Sequence, residues 1–87
     1  MKVYDRIEFV FDKLHKPLSA ADFRYLDARP WSDFHENALA YVGCSESALG
    51  RRMREMAVIG RLRSWYRTTA SGKRYKVFER VFAEVAA

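Results

Sequence analysis

Hydrophobic positions recur along this chain in two rhythms, helical as far as Gly60 and alternating after it. Val3, Ile7, Val10 and Leu14 repeat every three or four residues with Phe11 beside them, which predicts an amphipathic helix over Lys2 to His15, stopped by Pro17. Phe9 lies off that stripe and widens the buried face. Ser19 followed by Asp22 has the form of a capping box, and Phe23 and Leu26 come next at i, i+3 spacing. Ala20 to Asp27 therefore reads as a short helix, or equally as a loop with a small turn, because Arg29, Pro30 and Trp31 break the segment at once. Trp31 is expected to act as a lid on the core. Ser32 can cap a further helix, Asp33 to Val42, with Phe34, Ala38, Leu39 and Val42 as its apolar face and Gly43 as its end.

The next stretch, Ser45 to Ile59, joins a helix start, an apolar stripe and a concentrated charge. Ser45 can accept from the free N–H groups of the first turn, and Gly60 supplies the stop. At about 100° per residue, Leu49, Met53 and Met56 share one side, while Ser47, Gly50, Arg51 and Arg54 point the opposite way. Only Gly43, Cys44 and Ser45 separate this helix from the one before it, so the two must pack at a steep angle.

Past Gly60, residues Leu62, Ser64, Tyr66 and Thr68 alternate with Arg61, Arg63, Trp65, Arg67 and Thr69, the pattern of a strand. Ala70 to Lys73 looks like a turn. A two-residue or a four-residue loop predicts Tyr66 opposite Val77 and Trp65 opposite Phe78, which puts Leu62, Tyr66, Val77 and Val81 on a core face. The other face is then Arg63, Arg67, Arg74, Lys76 and Arg80 around Trp65 and Phe78, either a shielded cation-π stack or a nucleic-acid contact. Val81 to Ala87 can end the strand or begin a short helix.

Composition adds a real core and an uneven charge. At 87 residues, 49% hydrophobic and 15% aromatic, the chain suffices for one domain over residues 1–87, burying about 60% of its unfolded surface. Mean hydropathy is −0.35 and no apolar run approaches a membrane span, so a cytoplasmic location is expected, nucleoid-associated if the partner is DNA. The net charge of +5 resides in the second half: Ser45 to Arg80 carries ten Lys or Arg against three Glu, whereas Met1 to Cys44 has six bases and seven acids. A polyanionic partner fits this asymmetry, either nucleic acid or an acidic protein surface.

The order of elements, with VGCSESALGRRMREMAVIGRL (Val42 to Leu62) followed by RLRSWYRTTASGKRYKVFERV, resembles winged helix-turn-helix DNA-binding domains. The likeness covers roughly half the chain; the region from Pro17 to Trp31 is longer than the simplest members need. It implies an α+β fold, a three-helix core with a two-stranded wing, and a small transcriptional regulator of bacterial or phage type. It also implies that helix 46–59 enters the major groove of double-stranded DNA and hairpin 61–81 acts as a wing. The candidate contacts are Ser45, Ser47, Gly50, Arg51 and Arg54 on the helix and Arg67, Lys73, Arg74 and Lys76 on the hairpin. Arg can bond guanine or clamp phosphate, the amides near Ser45 can hold a phosphate, and Gly50 permits close approach. The alternative is a protein-binding module or inhibitor whose basic winged face docks on an acidic protein or a nucleic-acid-processing complex. A homodimer is expected through Tyr4, Phe9, Phe11, Phe82 and Val85, since one recognition helix covers few base pairs.

Enzymatic chemistry is not indicated. His15 and His35 are isolated, no glycine-rich phosphate loop occurs, and neither metal nor cofactor is implied. Cys44, beside a helix N-terminus, is either a reactive thiol of lowered pKa or a small buried turn residue.

Overall fold

A computed structural model describes residues 2–81, and its first element follows the helical rhythm: α1, Val3–Leu14, buries Ile7, Val10 and Phe11. His15 ends it by taking a left-handed conformation (φ 52°) while its backbone N–H donates to Phe11 O at 2.9 Å. The other side of α1 carries Phe9, whose ring packs 5.5 Å from Trp31 and 5.6 Å from Tyr41. Trp31 lies edge-on to Tyr41 at 4.8 Å, so it does cover the core edge. Of the aromatic surface expected for a homodimer, Phe11 belongs to the core, Phe9 to this cluster, and Tyr4 is half-buried under the Arg61 guanidinium. Phe82 and Val85 lie outside the described residues, as does the segment after Val81.

After α1, Leu18 exchanges two backbone hydrogen bonds of 2.8 Å with Phe78 and so attaches this connection to the hairpin's second strand. The capping box forms: Asp22 Oδ2 accepts from Ser19 N at 2.8 Å and Ser19 Oγ accepts from Asp22 N at 3.3 Å. It starts a single 3-10 turn, Ala21–Arg24, shorter than the expected helix from Ala20 to Asp27, and Phe23 anchors it in the core.

The helix expected from Asp33 begins only at Ala38. Ala28 N donates to Glu36 O and Ala38 N to Leu26 O, both at 2.9 Å, so a two-strand contact occupies the backbone that a longer helix would need. Ser32 does not cap a helix; its Oγ lies 3.0 Å from His35 Nδ1. Asn37 takes that role, accepting from Ala40 N at 2.8 Å, and α2 is Ala38–Val42. Phe34, placed by sequence on an apolar face, is 90% exposed in the loop.

Gly43 stops α2 with φ 81°, a left-handed value that a side chain would strain. Ser45 then caps α3, Glu46–Val58, by accepting from Ala48 N at 3.2 Å. Leu49, Met53 and Met56 are completely buried, as their spacing requires. They meet Ile7, Val10, Phe11, Leu18, Phe23, Leu62 and Phe78 in one core.

Strands β1, Leu62–Thr68, and β2, Arg74–Arg80, form the antiparallel hairpin. The register differs by one residue from expectation: Tyr66 faces Lys76, Trp65 faces Val77 and Ser64 faces Phe78. The cause is the loop. Thr69 N donates to Lys73 O at 2.8 Å and Gly72 N to Thr69 O at 2.9 Å, leaving a three-residue connection, Ala70 to Gly72, with Gly72 at φ 87°. An odd loop shifts every pairing relative to an even one and turns each side chain of one strand to the opposite face. Phe78 therefore joins Leu62 in the core, Tyr66 is 56% exposed, and Val77 is buried on the other side beside Trp65. Three α-helices followed by a β-hairpin make this an α+β architecture.

Candidate functional site

The long face of α3 turned away from the core carries Ser47, Arg51 and Arg54, all exposed, followed one further turn along by Val58, which is 87% exposed. Ser45 is exposed at the start of the same helix with its hydroxyl engaged in the cap. Gly50 sits differently from expectation, on the flank beside Ala20, where a Cβ would stand 3.8 Å from Ala20 Cβ. It lines a shallow groove together with Ala20, Arg54, Tyr75, Lys76 and Phe78. The groove joins α3 to the hairpin because Leu18 ties the Ser19–Ala21 segment to β2.

On the hairpin the shifted register divides the expected cations between two faces. Lys76 and Arg74 share a face with Tyr66: the Arg74 guanidinium lies 4.4 Å from the ring centroid and Lys76 Nζ 5.4 Å from it. Arg67 stands on the reverse with Arg63, and both guanidiniums lie 5.8 Å from the Trp65 ring. Lys73 closes the loop, its backbone N–H donating to Thr69 Oγ1 at 3.1 Å. The cation ring around paired Trp65 and Phe78 is therefore not formed.

Ion pairs sort the charges further. Glu8, on α1, is 8% exposed and accepts from Arg61, and Arg80 Nη1 lies 2.9 Å from its Oε2. Asp5 and Asp12 complete the cluster, at 3.2 Å from Arg61 and 3.3 Å from Arg80. These contacts hold the Arg61 guanidinium firmly protonated, Glu8 first, against a smaller opposing effect of burial. Arg63 pairs with Glu79 and Arg52 with Glu55. The remaining basic residues of the second half, Arg51, Arg54, Arg67, Lys73, Arg74 and Lys76, have no carboxylate within ion-pair distance among the described residues. Sequence alone missed this division, although Asp5, Glu8 and Asp12 recur at i, i+3, i+7 spacing and form an acidic stripe along α1.

No family model, curated protein or solved structure matches the chain. Its chemistry must be read from the side chains. Burial pushes the Cys44 thiol above its ordinary pKa, and the nearby Arg52 charge offsets this only in part. That is the behaviour of the small turn residue and the opposite of a nucleophile activated by a helix N-terminus. Among the described residues no three His, Cys, Asp or Glu side chains converge where a metal could bind, and no helix is long and apolar enough to cross a membrane.

Proposed function

We propose that this chain binds double-stranded DNA as a small regulator built like a winged helix-turn-helix domain, with α3 in the major groove and the hairpin as its wing. The observation that carries the reading is the segregation of charge. Arg52, Arg61, Arg63 and Arg80 are paired with carboxylates, while Arg51 and Arg54 on α3 and Arg74 and Lys76 on the adjoining hairpin face stay available. An α-helix fits the major groove, where Arg can bond the O6 and N7 of guanine, and cations beside it suit phosphates. Ser45 and Ser47 stand at the helix start, where backbone amides favour a phosphate. Arg67, on the reverse face, has no place in this contact unless the hairpin tip is enclosed by the DNA.

Selection of bound sequences from random duplex DNA tests the reading: a defined, guanine-containing motif should be enriched. Arg51→Ala and Arg54→Ala should then each cost about 1–3 kcal/mol of discrimination against the wrong base. Equal loss on every sequence would reassign them to phosphate. The second reading, docking on an acidic protein, is favoured by Val58 and Ile59, 87% and 59% exposed at the end of α3. Absence of duplex binding at low salt would favour it over the first.

A further inference from the structure

Tyr66 combines features that the other hairpin aromatics do not share. The residue is 56% exposed, and its ring lies against two cations without carboxylate partners among the described residues, Arg74 at 4.4 Å and Lys76 at 5.4 Å. Cross-strand pairing with Lys76 and diagonal placement of Arg74 keep ring and charges on one face. Toward its base that face runs through Phe78 into the groove bounded by Arg54. Trp65, by contrast, is half-buried opposite Val77, and one of its two flanking arginines is committed to Glu79.

We propose that Tyr66 is a stacking platform for one unpaired base, with Arg74 and Lys76 holding the phosphates beside it. The preferred ligand is then a DNA duplex that continues into a single-stranded extension. This rests on the reading of the chain as DNA-binding and names the form of DNA it takes. A base within a duplex has both faces covered by its neighbours, so an exposed aromatic ring gains stacking only from a base whose face is free. Arg74 suits the position because a planar, weakly hydrated guanidinium lies flat against a phenol ring and a base alike. The distance between platform and α3 is bridged by the Arg54 and Lys76 groove, so duplex and extension can be held together.

Binding is compared by titrating the full chain with a blunt duplex and with the same duplex bearing a short 3′ or 5′ extension that contains a fluorescent purine analogue. One polarity of extension should bind roughly 5- to 150-fold more tightly, the range for a single stacked base, and the analogue should be quenched. Tyr66→Phe should retain both effects, and Tyr66→Leu should bring the extended duplex down to the affinity of the blunt one. Equal affinity for blunt and extended duplexes, without quenching, would overturn the platform while leaving duplex binding intact. A Tyr66→Phe variant as weak as Tyr66→Leu would also overturn it, because the phenol hydroxyl would then be the contact. Binding to neither DNA would overturn the DNA-binding reading as well, and binding to the extended form alone would support the platform against the duplex reading. Circular dichroism confirms folding of the Leu variant; if it is unfolded, quenching by the wild type and Tyr66→Phe decides.

Discussion

Gly50 is the one residue of α3 whose helix propensity is sacrificed without a backbone need. It lies in the middle of the helix, and a Cβ there would meet only Ala20 Cβ, at 3.8 Å, and the mobile end of Arg54, also at 3.8 Å. These are ordinary contacts. Gly50→Ala should therefore stabilise the fold by about 1 kcal/mol, since Gly is that much poorer than Ala in a helix interior. For a domain of this size the midpoint of thermal unfolding should rise by roughly 4–8 °C per kcal/mol. A lower midpoint in a calorimetric scan would mean that α3 and the Ala20 segment pack too closely for a methyl group. Gly72 is the contrast: its φ of 87° favours glycine whatever space surrounds it, so the same change there should destabilise.

At the scale of elements, the hairpin is held by Leu62 and Phe78 in the core, by the Leu18 to Phe78 backbone bridge, and by the Asp5, Glu8 and Asp12 cluster on Arg61 and Arg80. Removing the buried carboxylate leaves Arg61 with the carboxylate of Asp5 and Arg80 with that of Asp12. Glu8→Ala should cost about 2 kcal/mol, below the usual range for a fully buried pair because both arginine side chains keep partial contact with water. Glu79→Ala breaks the more exposed pair with Arg63 and should cost less than about 1 kcal/mol. Urea unfolding of the two variants separates these effects. Equal losses would show that the cluster adds nothing to the attachment of the hairpin.

At the scale of the molecule, the cations without carboxylate partners divide between two sides of the hairpin, and their distribution predicts a salt effect. Arg74 and Lys76 share the hairpin face next to α3, whereas Arg67 projects from the reverse beside Trp65, and Lys73 at the tip lines the same reverse groove as Arg67. Replacing Arg74 and Lys76 together should flatten the plot of log affinity against log salt by up to about two units, at roughly 0.9 per phosphate contact. Arg67→Ala should leave the slope almost unchanged. The reverse result, a slope that follows Arg67 alone, would place the other face of the hairpin against DNA.

Local sequence was sufficient wherever a short-range signal had no competitor. The stripe of Leu49, Met53 and Met56 between the Ser45 cap and Gly60 fixes α3 by itself, and the same holds for α1, for the Ser19 and Asp22 box, and for the existence of a hairpin after Gly60. The basic excess of the second half, and Arg51 and Arg54 on the outer side of α3, were equally legible, because helical phase is a property of spacing. Tertiary contacts decided the rest. Pairing of Leu26 to Ala28 with Glu36 to Ala38 took backbone groups from the predicted helix and left α2 with five residues, a cost and gain no propensity scale contains. The loop from Ala70 to Gly72 set the register, and burial of Phe78 against Leu18, with both backbone bonds made, belongs to the same placement of β2. From that single-residue shift came the split of the cations and the placing of Lys76, not Val77, opposite Tyr66. Which charges are free is likewise a matter of distance across the fold: Glu8 lies 53 residues from Arg61 in sequence, yet only folding brings its carboxylate onto that guanidinium.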